Sequence, residues 1–376
     1  MLLGSELIPS TPYMEILGME RTLNHHWCVG VDLHKDTLTA CVFCGCCGEV
    51  SFQKLPCKCR KQVAAYFASL PRPHSVAIES VGFYRWLWEM LEPIVEKLVL
   101  ADATQARALA GRRLKTDRED SLNIAELLSA GRLPTSYAPP MEVQILRDLT
   151  RHRHGFSRQH TRVLHRVKSI MNANNRPGPA RMQSDGLIRY LKAQGSKLPA
   201  RHVDMLWQCV DALALSERQM AQAERAIGEV VQRTMFQEVY AILISFPGVA
   251  MITAATVIGE VGDFKRFKHP KAIGRYAGLN PRVYASGGKQ RIGHIAKTGS
   301  ADLRWILQQA AWTAIRTDDA VRRTFLRIAK RSGRKAAAVA IARKLLTWMW
   351  SAVTKGEPYR TPGTRHTVLP GAGSAA

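Results

Sequence analysis

Between residues 26 and 57 apolar side chains recur in short runs broken by turn residues, a pattern that predicts a β-meander. Trp27–Leu33 is the first run, Thr37–Phe43 the second and Glu49–Leu55 the third, with turns at His34–Asp36 and Gly45–Gly48. A helix is expected over Lys61–Ser69, an apolar strand over Ser75–Glu79, an aromatic-faced helix over Tyr84–Glu92 and a strand over Lys97–Ala101. The next helix carries Asp117 and Asp120 and continues through Ile124, Leu127 and Leu128.

Beyond Pro134, Pro139 and Pro140, which mark a linker, the period changes to that of long helices. Glu142–Ala173 is one such helix. Val203–Gln232 is a second, with uncharged positions at Cys209, Leu213, Ser216, Met220, Ala223, Ile227 and Val230. That four-three spacing is a coiled-coil seam, which most simply closes an intramolecular hairpin or a dimer. A Pro-Gly turn, Ser245-Phe246-Pro247-Gly248-Val249, runs into a helical stretch at Thr253–Ile258. It resembles a helix-hairpin-helix that grips phosphate through backbone amides, with Gly248 at its tip. A helix follows from Ser300 through Trp305 and Leu307, and an apolar stripe at Ala337, Ala340, Ile341, Leu345 and Trp348 marks a final helix.

The expected domains are an N-terminal extension over 1–23, with Met14 and Met19 as alternative starts, and an α/β domain over 24–135. A basic helical segment over 140–235, a mainly helical domain over 236–355 and a disordered tail over 356–376 complete the chain. Three meandering strands followed by alternating strand and helix predict a ribonuclease-H topology, also seen in RuvC-type resolvases.

Charge narrows the partner. Against 30 acidic residues stand 54 Lys and Arg, a net +24, which points to a polyanion and by default to nucleic acid. No stretch approaches the apolar length of a membrane span, and the first residues lack a basic signal region, so a cytoplasmic, nucleoid-associated protein is expected. The run Arg151-His152-Arg153-His154, continued by Arg158, Arg162, Arg166 and Lys168, is of one sign and reads as a nucleic-acid-facing helix side.

Against this basic background four acids stand out. Asp32 ends the first strand and Glu79 the strand at 75–79, while Asp117 and Asp120 share one helix face. Carboxylates converging in this way suit a pair of hard cations that hold a phosphate: Mg2+, with Mn2+ as the other candidate. Asp102, after the strand at 97–101, is a rival ligand, whereas Asp36 and Glu119 read as surface charges. Seven of the eight cysteines lie between Cys28 and Cys59. A zinc knuckle is one reading of them. No histidine or paired CxxC motif completes a tetrahedral set, however, so reduced thiols in a strand and turn are expected.

Taken in order, these segments resemble the DEDD insertion-sequence transposases, relatives of the Piv DNA invertase also described as bridge-RNA-guided recombinases. The likeness rests on Gly30-Val31-Asp32-Leu33-His34-Lys35, Glu79-Ser80-Val81-Gly82 and Lys115-Thr116-Asp117-Arg118-Glu119-Asp120. It continues in Phe246-Pro247-Gly248, Tyr276-Ala277-Gly278-Leu279-Asn280-Pro281, Ser286-Gly287 and Lys297-Thr298-Gly299, and covers residues 26–355. Ser121 departs from the alanine that usually follows the last aspartate, a small-for-small change. The resemblance implies that Asp32, Glu79, Asp117 and Asp120 hold the metal and that Ser286 is the nucleophile. It also implies DNA as donor and target, a structured noncoding RNA as guide, and a homo-oligomer, dimer or tetramer. Lys289, Arg291 and Lys297 flank Ser286 and suit charge neutralisation on a phosphate, while Gly287 and Gly288 let the backbone approach it.

Two other readings share these residues: a site-specific invertase with the same chemistry, and a RuvC-like resolvase or nuclease in which water attacks and Ser286 is incidental.

Overall fold

The computed structural model describes residues 26–109, 116–286 and 289–360, and over 283–292 the backbone alone. The expected extension over 1–23, Lys115 of the third acidic motif and the tail beyond residue 360 lie outside the described residues. The chain divides into two compact units, Met1–Ala138 and Pro139–Ala376, at the proline-marked linker.

The first unit is built on a six-stranded sheet. Its strands are β1 (Trp27–Leu33), β2 (Thr37–Cys44), β3 (Val50–Pro56), β4 (His74–Glu79), β5 (Lys97–Ala101) and the short β6 (Thr135–Ser136), in the order β3-β2-β1-β4-β5-β6. β1 to β3 are antiparallel, and β4 and β5 run parallel to β1. A meander followed by parallel crossovers agrees with the ribonuclease-H-like expectation. α1 (Arg60–Ala68) and α2 (Arg85–Leu91) join β3 to β4 and β4 to β5, and α3 (Ala103–Leu109) and α4 (Asp117–Ser129) follow.

Alternation sorts β1 into two faces. Val29, Val31 and Leu33 enter a core with Val76, Ile78, Val63, Phe67, Leu87 and Leu91, each side chain stabilising by roughly 1.5–3 kcal/mol on burial. Gly30 and Asp32 lie on the opposite face, toward α4. A Cβ at Gly30 would collide with the Ser121 carbonyl oxygen and sit 2.6 Å from the Ala125 nitrogen, so only glycine lets α4 come this close. Ser121 is fully buried in that contact and donates to the Arg118 carbonyl at 2.9 Å, which explains why a small residue stands there.

The second unit is helical apart from one hairpin. Its elements are α5 (Met141–Ala173), α6 (Ser184–Gln194), α7 (Ala200–Val231), α8 (Thr234–Ile244), α9 (Met251–Val261) and α10 (Pro270–Tyr276). The hairpin β7 (Pro281–Ser286) and β8 (Lys289–Ile295) follows, then α11 (Ala301–Thr317), α12 (Asp319–Ser332) and α13 (Arg334–Lys355). α5 and α7 pack antiparallel: Arg153 meets Glu224, His160 meets Glu217 and Asn174 meets His202. Cys209, Leu213, Ser216, Ala223, Ile227 and Val230 of the seam are buried, and Met220 is partly so.

Val143, Leu146, Ile227 and Val230 of that helix pair share one core with α9, α11 and α13. The helical segment over 140–235 and the following domain are therefore continuous in their packing. Two features depart from the sequence expectation. Residues 281–295, where no strand was expected, include the paired strands β7 and β8. The tail expected from residue 356 begins as fixed chain, because the Tyr359 ring packs on Phe246 and its hydroxyl donates to Asp318.

Candidate active site and nucleic-acid-facing surfaces

β1 and β4 are neighbouring parallel strands in the register Val31 beside Ile78, so Asp32 and Glu79 leave the sheet side by side at its carboxyl edge. α4 starts at the same edge. Thr116 caps it by accepting from the Glu119 backbone at 3.2 Å, and Asp117, Glu119 and Asp120 occupy the first turn, where the helix dipole favours acids. The Gly30 contact one turn later fixes how far α4 reaches over β1.

The acids interact in two groups. Buried Asp32 receives His34 Nε2 at 3.1 Å, and the same nitrogen stands 3.4 Å from Asp117. Among the described residues Asp32, His34 and Asp117 offer donor atoms within 4.8 Å of one another. Half-buried Glu79 shares a hydrogen bond with Asp32. Burial, then that bond and the neighbouring carboxylates, push its pKa up to about 7. Asp120 turns to Arg107 of α3 at 3.3 Å and still adds to the negative field on Glu79.

Asp117 is held by Lys54 of β3 at 3.1 Å, and this hydrogen bond, followed by the charges of Lys54 and His34, lowers its pKa. Asp32, Thr39 and Lys54 form one cross-strand row, which aims the lysine at the site. All four expected carboxylates are thus gathered in one place. Asp102, the rival ligand, caps α3, accepting from the Gln105 backbone at 3.0 Å and its side chain at 2.7 Å.

Four oxygen donors of this kind fit hard divalent ions better than soft ones. They would be bound by Asp32, Glu79, Asp117 and Asp120, with His34 beside them. Sequence reasoning assigned no role to His34, Lys54 or Arg107. His34 is signalled by its place two residues after Asp32, on the same strand-end face. Lys54 follows from the register, whereas Arg107 reaches the site only through the α3–α4 fold.

In the helical unit the cationic side of α5 splits in two. Arg151 makes a bidentate pair with Glu260 at 2.7 and 2.9 Å, and Glu260 is 1 % exposed. Arg153 pairs with Glu224 at 2.8 Å and Arg158 with Asp302 at 2.8 Å. Arg162, Arg166 and Lys168, a few turns on, are exposed and form no ion pair among the described residues. A second basic surface went unread in the sequence. Arg327, Arg331, Arg343 and Lys344 line a cleft between α12 and α13, signalled by the one-signed charges from Arg322 to Lys335.

The glycine motifs of this unit serve packing. Gly248, at φ 77°, lies on the α11 backbone, where a Cβ would collide with the Ala310 carbonyl. Gly278 and Gly299 press against Thr298 and Tyr276, and Arg304 ties the crossing by donating to the carbonyls of Ala277, Thr298 and Gly299. This brings the Tyr276–Pro281 and Lys297–Gly299 motifs together, with exposed Lys297 at φ 56°. Ser286 ends β7 opposite Lys289 in the hairpin register. The side chains of Ser286, Lys289 and Arg291 lie outside the described residues.

Comparison with known proteins agrees with both halves. Residues 29–174 match a DEDD transposase family model of the IS110 type, and residues 240–327 match a model described as transposase IS116/IS110/IS902 family. The putative transposase y4qE of Sinorhizobium fredii is 31% identical over 67% of this chain and 60% of its own length. A probable family 20 transposase of Pseudomonas aeruginosa is 27% identical over 81% of this chain and 90% of its own. The transposase for insertion sequence element IS1111A of Coxiella burnetii is 24% identical over 65% and 68%. The match thus spans less than two thirds of the first of these relatives. Among the described residues no helix is long and apolar enough to cross a membrane. The chain thus carries, in this order, a DEDD transposase domain of the IS110 type and a second domain of the IS116/IS110/IS902 transposase type.

Proposed function

We propose that this chain cuts and rejoins DNA strands, using divalent metal held by Asp32, Glu79, Asp117 and Asp120 and a covalent link through Ser286. The observation that carries the metal half is the convergence of the four carboxylates. Their mutual repulsion helps to hold Glu79 near 7, and a cation would relieve it. Bound there, Mg2+ or Mn2+ would orient a scissile phosphate and neutralise charge on the leaving oxygen. Lys54 and Arg107, on Asp117 and Asp120, stand beside the carboxylates that would hold the metal and supply cations for a bound phosphate.

The serine half rests on the resemblance and on residue chemistry. Ser286 Oγ would attack phosphorus: one P–O bond forms to the serine, one breaks to a DNA hydroxyl, and the serine proton passes to a base. Lys289, Arg291 and Lys297 supply cations for the phosphoryl oxygens. Arg162, Arg166 and Lys168, with the α12–α13 cleft, supply sequence-independent grip on DNA or on the structured RNA that the resemblance implies. The Gly248 turn adds a backbone contact to phosphate.

One observation favours the second reading, a water-using resolvase: the sheet unit by itself supplies all four carboxylates and the cations that cover them.

The test of the metal site separates chemistry from affinity. Asp32→Ala and Asp120→Ala should each lower strand cleavage by about a thousandfold or more while leaving nucleic-acid binding within a few-fold of wild type. Cleavage at the wild-type rate by the Asp120→Ala protein would overturn the assignment.

A further inference from the structure

The turn between β2 and β3 carries chemistry that strand cleavage does not use. Cys44, the last residue of β2, is buried, and Cys46 and Cys47 are exposed on the turn itself. One sulfur from each lies within 4.8 Å of the other two, and Cys44 Sγ and Cys46 Sγ are hydrogen-bonded at 2.8 Å. The turn is fixed: the Cys44 N–H donates to the Glu49 carbonyl at 3.0 Å and the Gly48 N–H to the Cys44 carbonyl at 2.9 Å. Gly48 closes it at φ 75°. Gly45 presses on Ser129 at the end of α4, where any Cβ would collide with the serine hydroxyl.

We propose that Cys44, Cys46 and Cys47 form a thiolate site for a soft or borderline d10 cation, with zinc as the reference metal and solvent in the remaining position. Zinc–sulfur bonds of about 2.3 Å place tetrahedral sulfurs roughly 3.8 Å apart. The Cys44–Cys46 sulfurs at 2.8 Å would move apart by about 1 Å to reach it, and no pair exceeds it by more than about 1 Å. No fourth Cys, His, Asp or Glu joins the group among the described residues, so the site differs from a closed four-ligand knuckle. Sequence spacing alone, which completes no tetrahedral set, predicts reduced thiols. The structure brings together three sulfurs from a four-residue stretch, which separates them from Cys28, Cys41, Cys57 and Cys59.

On binding, each thiol gives its proton to the buffer as its sulfur–metal bond forms. Sulfur donors distinguish this site from the all-oxygen tetrad, which selects hard ions. The bound metal would brace the hairpin whose second strand presents Lys54 to Asp117.

The full-length protein, reduced with a non-thiol reductant, is loaded with Zn2+ or Co2+ and freed of excess metal by gel filtration. One zinc per chain should remain, and cobalt should give a thiolate-to-metal charge-transfer band. Both should vanish in the Cys46→Ser/Cys47→Ser protein, whose changed positions are exposed and so spare the core, and both should persist in Asp32→Ala. Zinc should raise the Tm of the wild type and not that of the double variant. Elution of reduced wild type without metal, a charge-transfer band in the double variant, or a disulfide within the turn as the only product would each overturn the proposal.

Discussion

In the sheet unit, four carboxylates meet at the ends of β1 and β4 and the first turn of α4, and His34, Lys54 and Arg107 are drawn onto them. In the helical unit the excess charge is positive, and it is divided along α5. The first arginines are neutralised by Glu260, Glu224 and Asp302, while Arg162, Arg166 and Lys168 face solvent without such partners among the described residues. A run of like charges therefore does not act as one surface. Packing decides which members hold the fold together and which remain to meet a phosphate. The acidic cluster is the reverse case, because its members are placed by tight packing and then left crowded with like charge.

The largest expected effect tests the packing that places the acids. Gly30→Ala should cost the upper end of the ~1–3 kcal/mol typical of overpacking, because the collision is with α4 backbone and not with a flexible side chain. Urea unfolding of the full chain measures it. A neutral result would mean that α4 is free to retreat from β1, and that the position of Asp117 and Asp120 is set elsewhere.

The division of α5 is tested by two kinds of substitution. Arg151→Ala leaves buried Glu260 without its charged partner and should destabilise by about 2 kcal/mol, moderated because half of the arginine faces water. It should leave the salt dependence of nucleic-acid binding unchanged. Replacing Arg162, Arg166 and Lys168 with alanine should do the opposite. Stability should stay within about 0.5 kcal/mol of wild type, and the slope of log affinity against log salt should flatten by about 0.7–0.9 for each phosphate that is no longer neutralised. Equal slope changes from both sets would erase the distinction.

A smaller effect concerns pH. Glu79 has its folded pKa raised from 4.5 to about 7, so between these values the folded protein holds a proton that the unfolded chain has lost. Without metal, this group makes stability fall as pH rises through that window. Metal binding must expel the proton. Titration with Mg2+ at pH 6 in weak buffer should therefore release up to about one proton per site, with less at pH 8. Glu79→Gln should abolish the difference.

Much of the fold was legible in residue periodicity. The alternation in Trp27–Leu33 revealed both the strand and the face of Asp32, and the seam from Cys209 to Val230 revealed α7 and its buried side. The tetrad was legible because its members sit at the ends of such segments, where strand and helix geometry fixes direction. Three things were not. Lys54 and Arg107 reach the acids through sheet register and the packing of α3 beside α4, which no local pattern encodes. The β7–β8 hairpin was hidden because its basic strands carry no apolar alternation. The internal partners of Arg151, Arg153 and Arg158 lie more than 70 residues away in sequence, so the run looked uniformly available.

The proposed covalent step needs metal, serine and DNA, and one measurement addresses all three. The protein is incubated with DNA carrying a nicked exchange site, with and without the structured RNA that the resemblance implies, quenched in denaturant, and digested for mass spectrometry of the Ser286 peptide. The peptide should carry a nucleotide through the serine oxygen only when Mg2+ or Mn2+ is present. The adduct should be absent from Ser286→Ala and from Asp120→Ala. Metal-dependent cleavage by Ser286→Ala at the wild-type rate, with free DNA ends and no adduct in any sample, would contradict the serine route and leave the water-using nuclease in its place.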